Sequence, residues 1–138
     1  MWSTSATTYT TAAASRIWAI YRDTAHWPHW DHGLAYYKLD GPFAAGTAGN
    51  LQPVGGPDLP FTLILVEEGH SFVDRTPIGA DSAIIARHVL TPLAEGTQIT
   101  HSIEIEGPDA EQLAQEMGFK QEELLDTVTS LARYAEEH

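Results

Sequence analysis

The chain has 138 residues, 43% of them apolar, enough for one domain (1–138) with a real core. A formal charge of -12 argues against nucleic acid or an anionic membrane as partner, since both need a basic face, and the absence of cysteine removes disulfides, thiolate chemistry and thiolate-held zinc. The start, Met1-Trp-Ser-Thr-Ser, lacks the basic and apolar runs of a signal peptide, and no segment reads as a transmembrane helix, so a cytoplasmic protein is expected.

Trp2 to Thr10 is rich in threonine and ends in tyrosine, which predicts a short polar strand at a sheet edge. Thr11 is placed to cap a helix over Ala12 to Arg22, in which Ala14, Ile17, Trp18 and Tyr21 share one stripe. His26-Trp-Pro-His-Trp-Asp-His-Gly33 follows, with Pro28 suited to starting a short helical turn. Three histidines spaced by three invite a metal reading. The proline and the 3.6-residue helical period disfavour it, and no metal or cofactor is expected. Trp27 and Trp30 are expected to pack inward, with His26, His29 and His32 in water.

Leu34–Leu39 and Gly46–Pro53 read as strands. Phe61–Val66 is apolar on both faces apart from Thr62, which predicts a strand covered on both sides. Ser71–Thr76 returns after the Glu68-Gly69 turn. Short strands with tight links predict an antiparallel meander.

Ser82–Leu90 and Thr97–Ile105 form the most informative pair. With Ala94-Glu95 at the centre of the turn, His88 faces His101 on the side that carries Ile84, Leu90, Ile99 and Ile103. Two readings stand: a hydrogen-bonded pair of partly buried imidazoles, or the polar centre of a ligand cavity. Adding His70 as a third metal ligand would need an alignment that the strands do not promise.

Gly107-Pro108 ends the last strand, and Asp109 with Gln112 resembles a capping box. From Gln121, the residues Leu124, Leu125, Val128, Leu131, Ala132 and Ala135 recur at helical spacing. One helix from Asp109 to Glu137 would be about 43 Å long, so a break is expected at Gly118. The final stripe must then bury itself on the inner face of the sheet. Ten of the nineteen carboxylates lie from Glu104 onward, which predicts an acidic, solvated outer face for that helix.

Taken in order, Ile17-Trp18, Asp23, Trp27-Pro28-x-Trp30-Asp31, Leu39-Asp40-Gly41-Pro42-Phe43, Gly46-Thr47, Ser71-Phe72-x-Asp74-x-Thr76, His88, Gly96-Thr97-x-Ile99-Thr100-His101 and Ile105-x-Gly107-Pro108 resemble the START-like (SRPBCC) superfamily, polyketide cyclase/dehydrase branch. The resemblance implies an α+β helix-grip fold: a curved antiparallel sheet wrapped around a long C-terminal helix, two short helices after the first strand, and a deep cavity. It also implies a small hydrophobic ligand, polyketide- or lipid-like, and for some members cyclisation, aromatisation or dehydration. The catalytic residues of the aromatase/cyclases match no local motif here. Histidine is the side chain that titrates near neutrality unperturbed, so His88 and His101 are the catalytic candidates. Trp18, Trp27, Trp30, Tyr36, Phe72, Asp74, Ile84 and Ile103 are the substrate-binding candidates. The alternative is a carrier or sensor without catalysis, and a homodimer is compatible with either. Substrate identity is not legible.

Overall fold

In the computed structural model, which describes every residue from Met1 to His138, seven antiparallel strands form one sheet. They are β1 (Trp2–Thr10), β2 (Leu34–Leu39), β3 (Ala48–Pro53), β4 (Leu59–Glu67), β5 (Ser71–Ile78), β6 (Ser82–Leu93) and β7 (Gly96–Glu106), in the order β1-β7-β6-β5-β4-β3-β2. The first strand closes onto the last, and the other six form the expected meander. Three α-helices accompany the sheet: α1 (Ala14–Arg22), α2 (Ala110–Met117) and α3 (Gln121–Glu137), with a 3-10 turn over Thr24–His29 after α1. The chain thus has the helix-grip fold. None of its helices is long and apolar enough to cross a membrane.

Helix α3 lies against β1 and β7 and touches α1. Val128, Leu131, Ala132 and Ala135 are buried, while Leu124 is only partly covered and Leu125 is exposed. The expected stripe is therefore displaced: Gln121 at the start of α3 donates to the Ser5 carbonyl of β1, while Leu125 is left in solvent. The break before α3 falls where expected. Gly118 ends α2 in the left-handed conformation at φ 72°, which a Cβ would disfavour, and the Phe119 amide closes the turn on the Ala114 carbonyl.

Other local expectations are corrected by the structure. Helix α1 starts at Ala14 behind Ala13, without a side-chain cap, because the Thr10 hydroxyl accepts from the Ala12 amide and holds that stretch extended. Asp109 makes no cap bond, and Gln112 reaches forward to Glu116 instead of back. Strand β4 is not covered on both sides. Phe61 and Leu63 are buried, whereas Ile64 and Leu65 are exposed, since no helix crosses the outer face there. A register shift between Leu63 and Leu65 brings those two residues out in succession.

The main core groups Ile17, Trp18, Tyr21, Trp27, Trp30, Phe72, Leu90 and Ile99 with the buried residues of α3. A smaller core packs Ile105 with Ala110 and Ala114 of α2, flanked by Trp2, Ile84, Leu113 and Phe119.

Candidate functional site

The register of β6 and β7 puts His88 opposite His101, as the turn predicted. The neighbouring pairings extend this into a row across four strands: Ala6, His101, His88 and Phe72. Because side chains alternate, the next row on the same concave face is Thr4, Ile103, Ala86, Asp74 and Leu63. The histidine row is closed: His88, His101, Ala6 and Phe72 are all buried. In the second row Thr4, Ile103 and Ala86 keep partial exposure, as does Ile84 beyond them. The accessible floor of the concave face therefore runs beside the histidines.

Both imidazoles are held by specific contacts. His88 stacks on Phe72 at 3.9 Å and 5°, and meets the His101 ring edge-on at 4.7 Å. Its Nδ1 lies 3.3 Å from the Phe72 carbonyl, which only accepts, so Nδ1 carries the proton and Nε2 presents a lone pair. His101 Nε2 is hydrogen-bonded to the Tyr21 hydroxyl at 2.7 Å. Burial pushes His88 down to about 4. Burial, and then the neighbouring His88, hold His101 well below the ordinary histidine range. Both rings are thus neutral at pH 7, within the limit that two imidazoles on an apolar face impose.

An aromatic wall surrounds the pair. The Trp27 indole N–H donates to the Tyr21 carbonyl at 2.9 Å, fixing the end of α1 against the 3-10 turn. Trp27 stacks on Tyr37 at 3.9 Å, and Tyr37 on Phe61 at 4.5 Å. Trp18 meets Phe72 edge-on at 6.1 Å, and Trp30 lies 6.3 Å from His101. Tyr37 donates to Asp74 Oδ2 at 3.0 Å; burial pushes that carboxyl up to about 7, partly countered by the bond from Tyr37.

The fold therefore brings together His88, His101, Trp18, Trp27, Trp30, Phe72 and Asp74, with Ile103 and Ile84 on the adjoining floor. Tyr36 stands apart, and its assignment to the site is corrected: its hydroxyl is bonded to Asp58, and Lys38 lies over its ring on the outer face. Tyr37 takes the inward position. Lys38 shares alternation with Tyr36, and that signal was available in the sequence. Tyr21 was visible as a member of the α1 stripe, but nothing local marked it as a partner of His101, some eighty residues away. His26, His29 and His32 are exposed, and no three His, Asp or Glu side chains are arranged to hold a metal.

Two surface clefts lie elsewhere. One of about 210 Å³ is bounded by Arg16, Asp23, His26 and Tyr134. Another of about 810 Å³ is bounded by His29, His32, Arg133 and His138. Neither reaches the histidine pair.

Residues 1–136 match the family model described as polyketide cyclase / dehydrase and lipid transport. No curated protein is a significant sequence match. Among solved structures, protein MLL2253 of Mesorhizobium loti superposes with a TM-score of 0.77 at 14% identity, covering 99% of this chain and 98% of that one. Norcoclaurine synthase of Thalictrum flavum, in complex with dopamine and hydroxybenzaldehyde, gives 0.74 at 17% identity, covering 99% and 87%. DynU16, encoded in the dynemicin biosynthetic locus, gives 0.69 at 20%, covering 97% of this chain and 47% of its own. At these identities the likeness carries the fold.

Proposed function

The chain belongs to the polyketide cyclase/dehydrase and lipid-transport family, and from that premise we propose that it binds a small hydrophobic, polyketide- or lipid-like molecule on the concave face of its sheet. The observation that carries this reading is a buried, neutral histidine pair beside a half-accessible apolar row. Ile103, Ala86 and Ile84 are the floor, and Trp18, Trp27, Trp30 and Phe72 pack around the histidines as an aromatic wall. His88 Nε2 is the acceptor that orients a polar group on the ligand. In a reaction it is the base for cyclisation or dehydration of that ligand, with His101 held by Tyr21 as its neighbour.

Ring-containing apolar compounds are expected to quench tryptophan emission and raise the melting temperature, and nucleotides are expected to do neither. A melt shifted by nucleotide, and by no hydrophobic compound, would overturn the reading. A carrier is the second reading, supported by the tight closure of the histidine row. His88→Gln and His101→Gln separate the two. In an enzyme each lowers turnover steeply and the double variant costs little more than either single one. In a carrier they weaken binding only.

A further inference from the structure

We propose that the cleft between the 3-10 turn and α3 is a second binding site, separate from the concave face, and that it takes a hydroxylated aromatic monocarboxylate.

The helix itself sets this cleft apart. Asp126, Thr129, Ser130, Arg133, Tyr134 and Glu137 recur at i, i+3, i+4, i+7, i+8 and i+11, which puts them on one stripe of α3. That stripe runs beside the buried apolar one of Val128, Leu131, Ala132 and Ala135. All six residues line the cleft of about 810 Å³, and Pro28, His29 and His32 form the facing wall. The side of α3 turned to this wall is therefore not the uniformly acidic surface that the carboxylate count predicts. Carboxylates stand at its two ends, with two hydroxyls, a guanidinium and a phenol between them.

The groups between those ends are free to serve a ligand. The ion pairs of the protein are Arg22–Glu68, His26–Asp23 and Arg87–Glu104, so the Arg133 guanidinium is unpaired. Glu136 is engaged elsewhere, by the Thr10 hydroxyl at 2.6 Å. Glu137 follows Arg133 by four residues, the weaker order for an ion pair along a helix. Thr127, off the stripe, donates to the Glu123 carbonyl at 3.1 Å; the Thr129 and Ser130 hydroxyls make no such bond. The rings are already arranged. Tyr134 stacks on His138 at 4.3 Å and 17°, and the His138 Nδ1 lies 3.1 Å from the Tyr134 carbonyl. From the opposite wall His29 meets Tyr134 at 6.5 Å and 59°. A flat aromatic ligand finds π faces there, and its anion finds Arg133 with two hydroxyls close by along the stripe.

Charge narrows the class. Arg133 is a single cation between Asp126 and Glu137, so a monoanion is balanced, whereas a dianionic phosphate is repelled from both ends. The planar fork of arginine matches a carboxylate with two parallel hydrogen bonds. Asp126 precedes Arg133 by seven residues, about 10 Å of helix axis. Two fused rings, with a carboxylate on Arg133 and a hydroxyl donating to Asp126, cover that distance once a hydrogen bond is added at each end.

The probe is 6-hydroxy-2-naphthoate, whose own fluorescence anisotropy reports binding. Arg133 is exposed, so Arg133→Gln should melt as the wild type does. It should weaken binding of the naphthoate roughly tenfold or more, and leave 2-naphthol, the same rings without the carboxylate, unaffected. The advantage of the hydroxylated acid over plain 2-naphthoate should disappear in Asp126→Ala. Ring-proton NMR places the ligand: the His29 and His32 signals should move on titration, and those of His88 and His101 should stay. Naphthoate binding that ignores Arg133→Gln overturns the inference. Movement of His88 and His101 in place of His29 and His32 overturns it too, and counts for the concave-face reading. Failure of the naphthoate to bind overturns the inference alone, since uncharged hydrophobic compounds test the concave face independently.

Discussion

At the scale of single residues, the fold suppresses charge on the histidine pair and holds a proton on the acid, and both leave a signature in stability. An unfolded histidine binds a proton below its usual 6.5, whereas His88 does so only near 4 and burial holds His101 well below the ordinary range too. Each therefore contributes stability that is complete above 6.5 and is lost as pH falls toward 4. Asp74 works in the opposite sense. Its folded carboxyl keeps a proton up to about 7, against 3.8 when free, so its contribution is lost as pH rises through that interval. Two histidines outweigh one aspartate. Urea denaturation should show stability rising between about pH 4 and 6.5 with a slope of about one proton, or ~1.4 kcal/mol per pH unit. In Asp74→Asn the slope should approach two protons. A flat profile would mean that the imidazoles are solvated. Ring-carbon NMR should agree, with neither His88 nor His101 protonated at pH 7.

At the scale of elements, the hairpin register was legible because a two-residue turn fixes which positions oppose and alternation then fixes the faces. Strand β4 and the exposed start of α3 were less legible. A register shift and the exposure of one helical position depend on how neighbouring elements pack, which no local pattern records. The pairing of β2 with β3 rests on a close approach at Gly49, which the strand pattern alone does not reveal. A Cβ on Gly49 would stand 2.1 Å from the Lys38 carbonyl oxygen and 2.7 Å from the Phe61 ring. Gly49→Ala should therefore cost about 3 kcal/mol and loosen the Tyr37–Phe61 stack. Gly41→Ala, where the nearest atom is an ordinary 3.6 Å away, should be close to neutral. Equal effects in urea denaturation would show that the strand tolerates the displacement.

At the scale of the whole molecule, α3 closes the sheet. Val128, Leu131, Ala132 and Ala135 are all buried in it. Each large aliphatic side chain contributes on the order of 1.5–3 kcal/mol, against a net stability of about 5–15 kcal/mol. The inner ends of β1 and β7 would also lose their cover. Truncation after Gly118 is expected to abolish cooperative unfolding, followed by circular dichroism. A truncated chain that still melts in one sharp transition would mean that the sheet folds without its grip.

The sequence by itself determined the elements, the break at Gly118, the inward tryptophans and the opposition of His88 and His101. Each depends on periodicity, turn length or backbone freedom within a few residues. Only the tertiary structure decided that Tyr21 bonds His101, that Tyr37 donates to Asp74, and that the accessible row lies beside the histidines. Those outcomes depend on which strands and helices pack together across the chain. Burial and electrostatic environment are properties of that packing, and the same residues read singly carry neither.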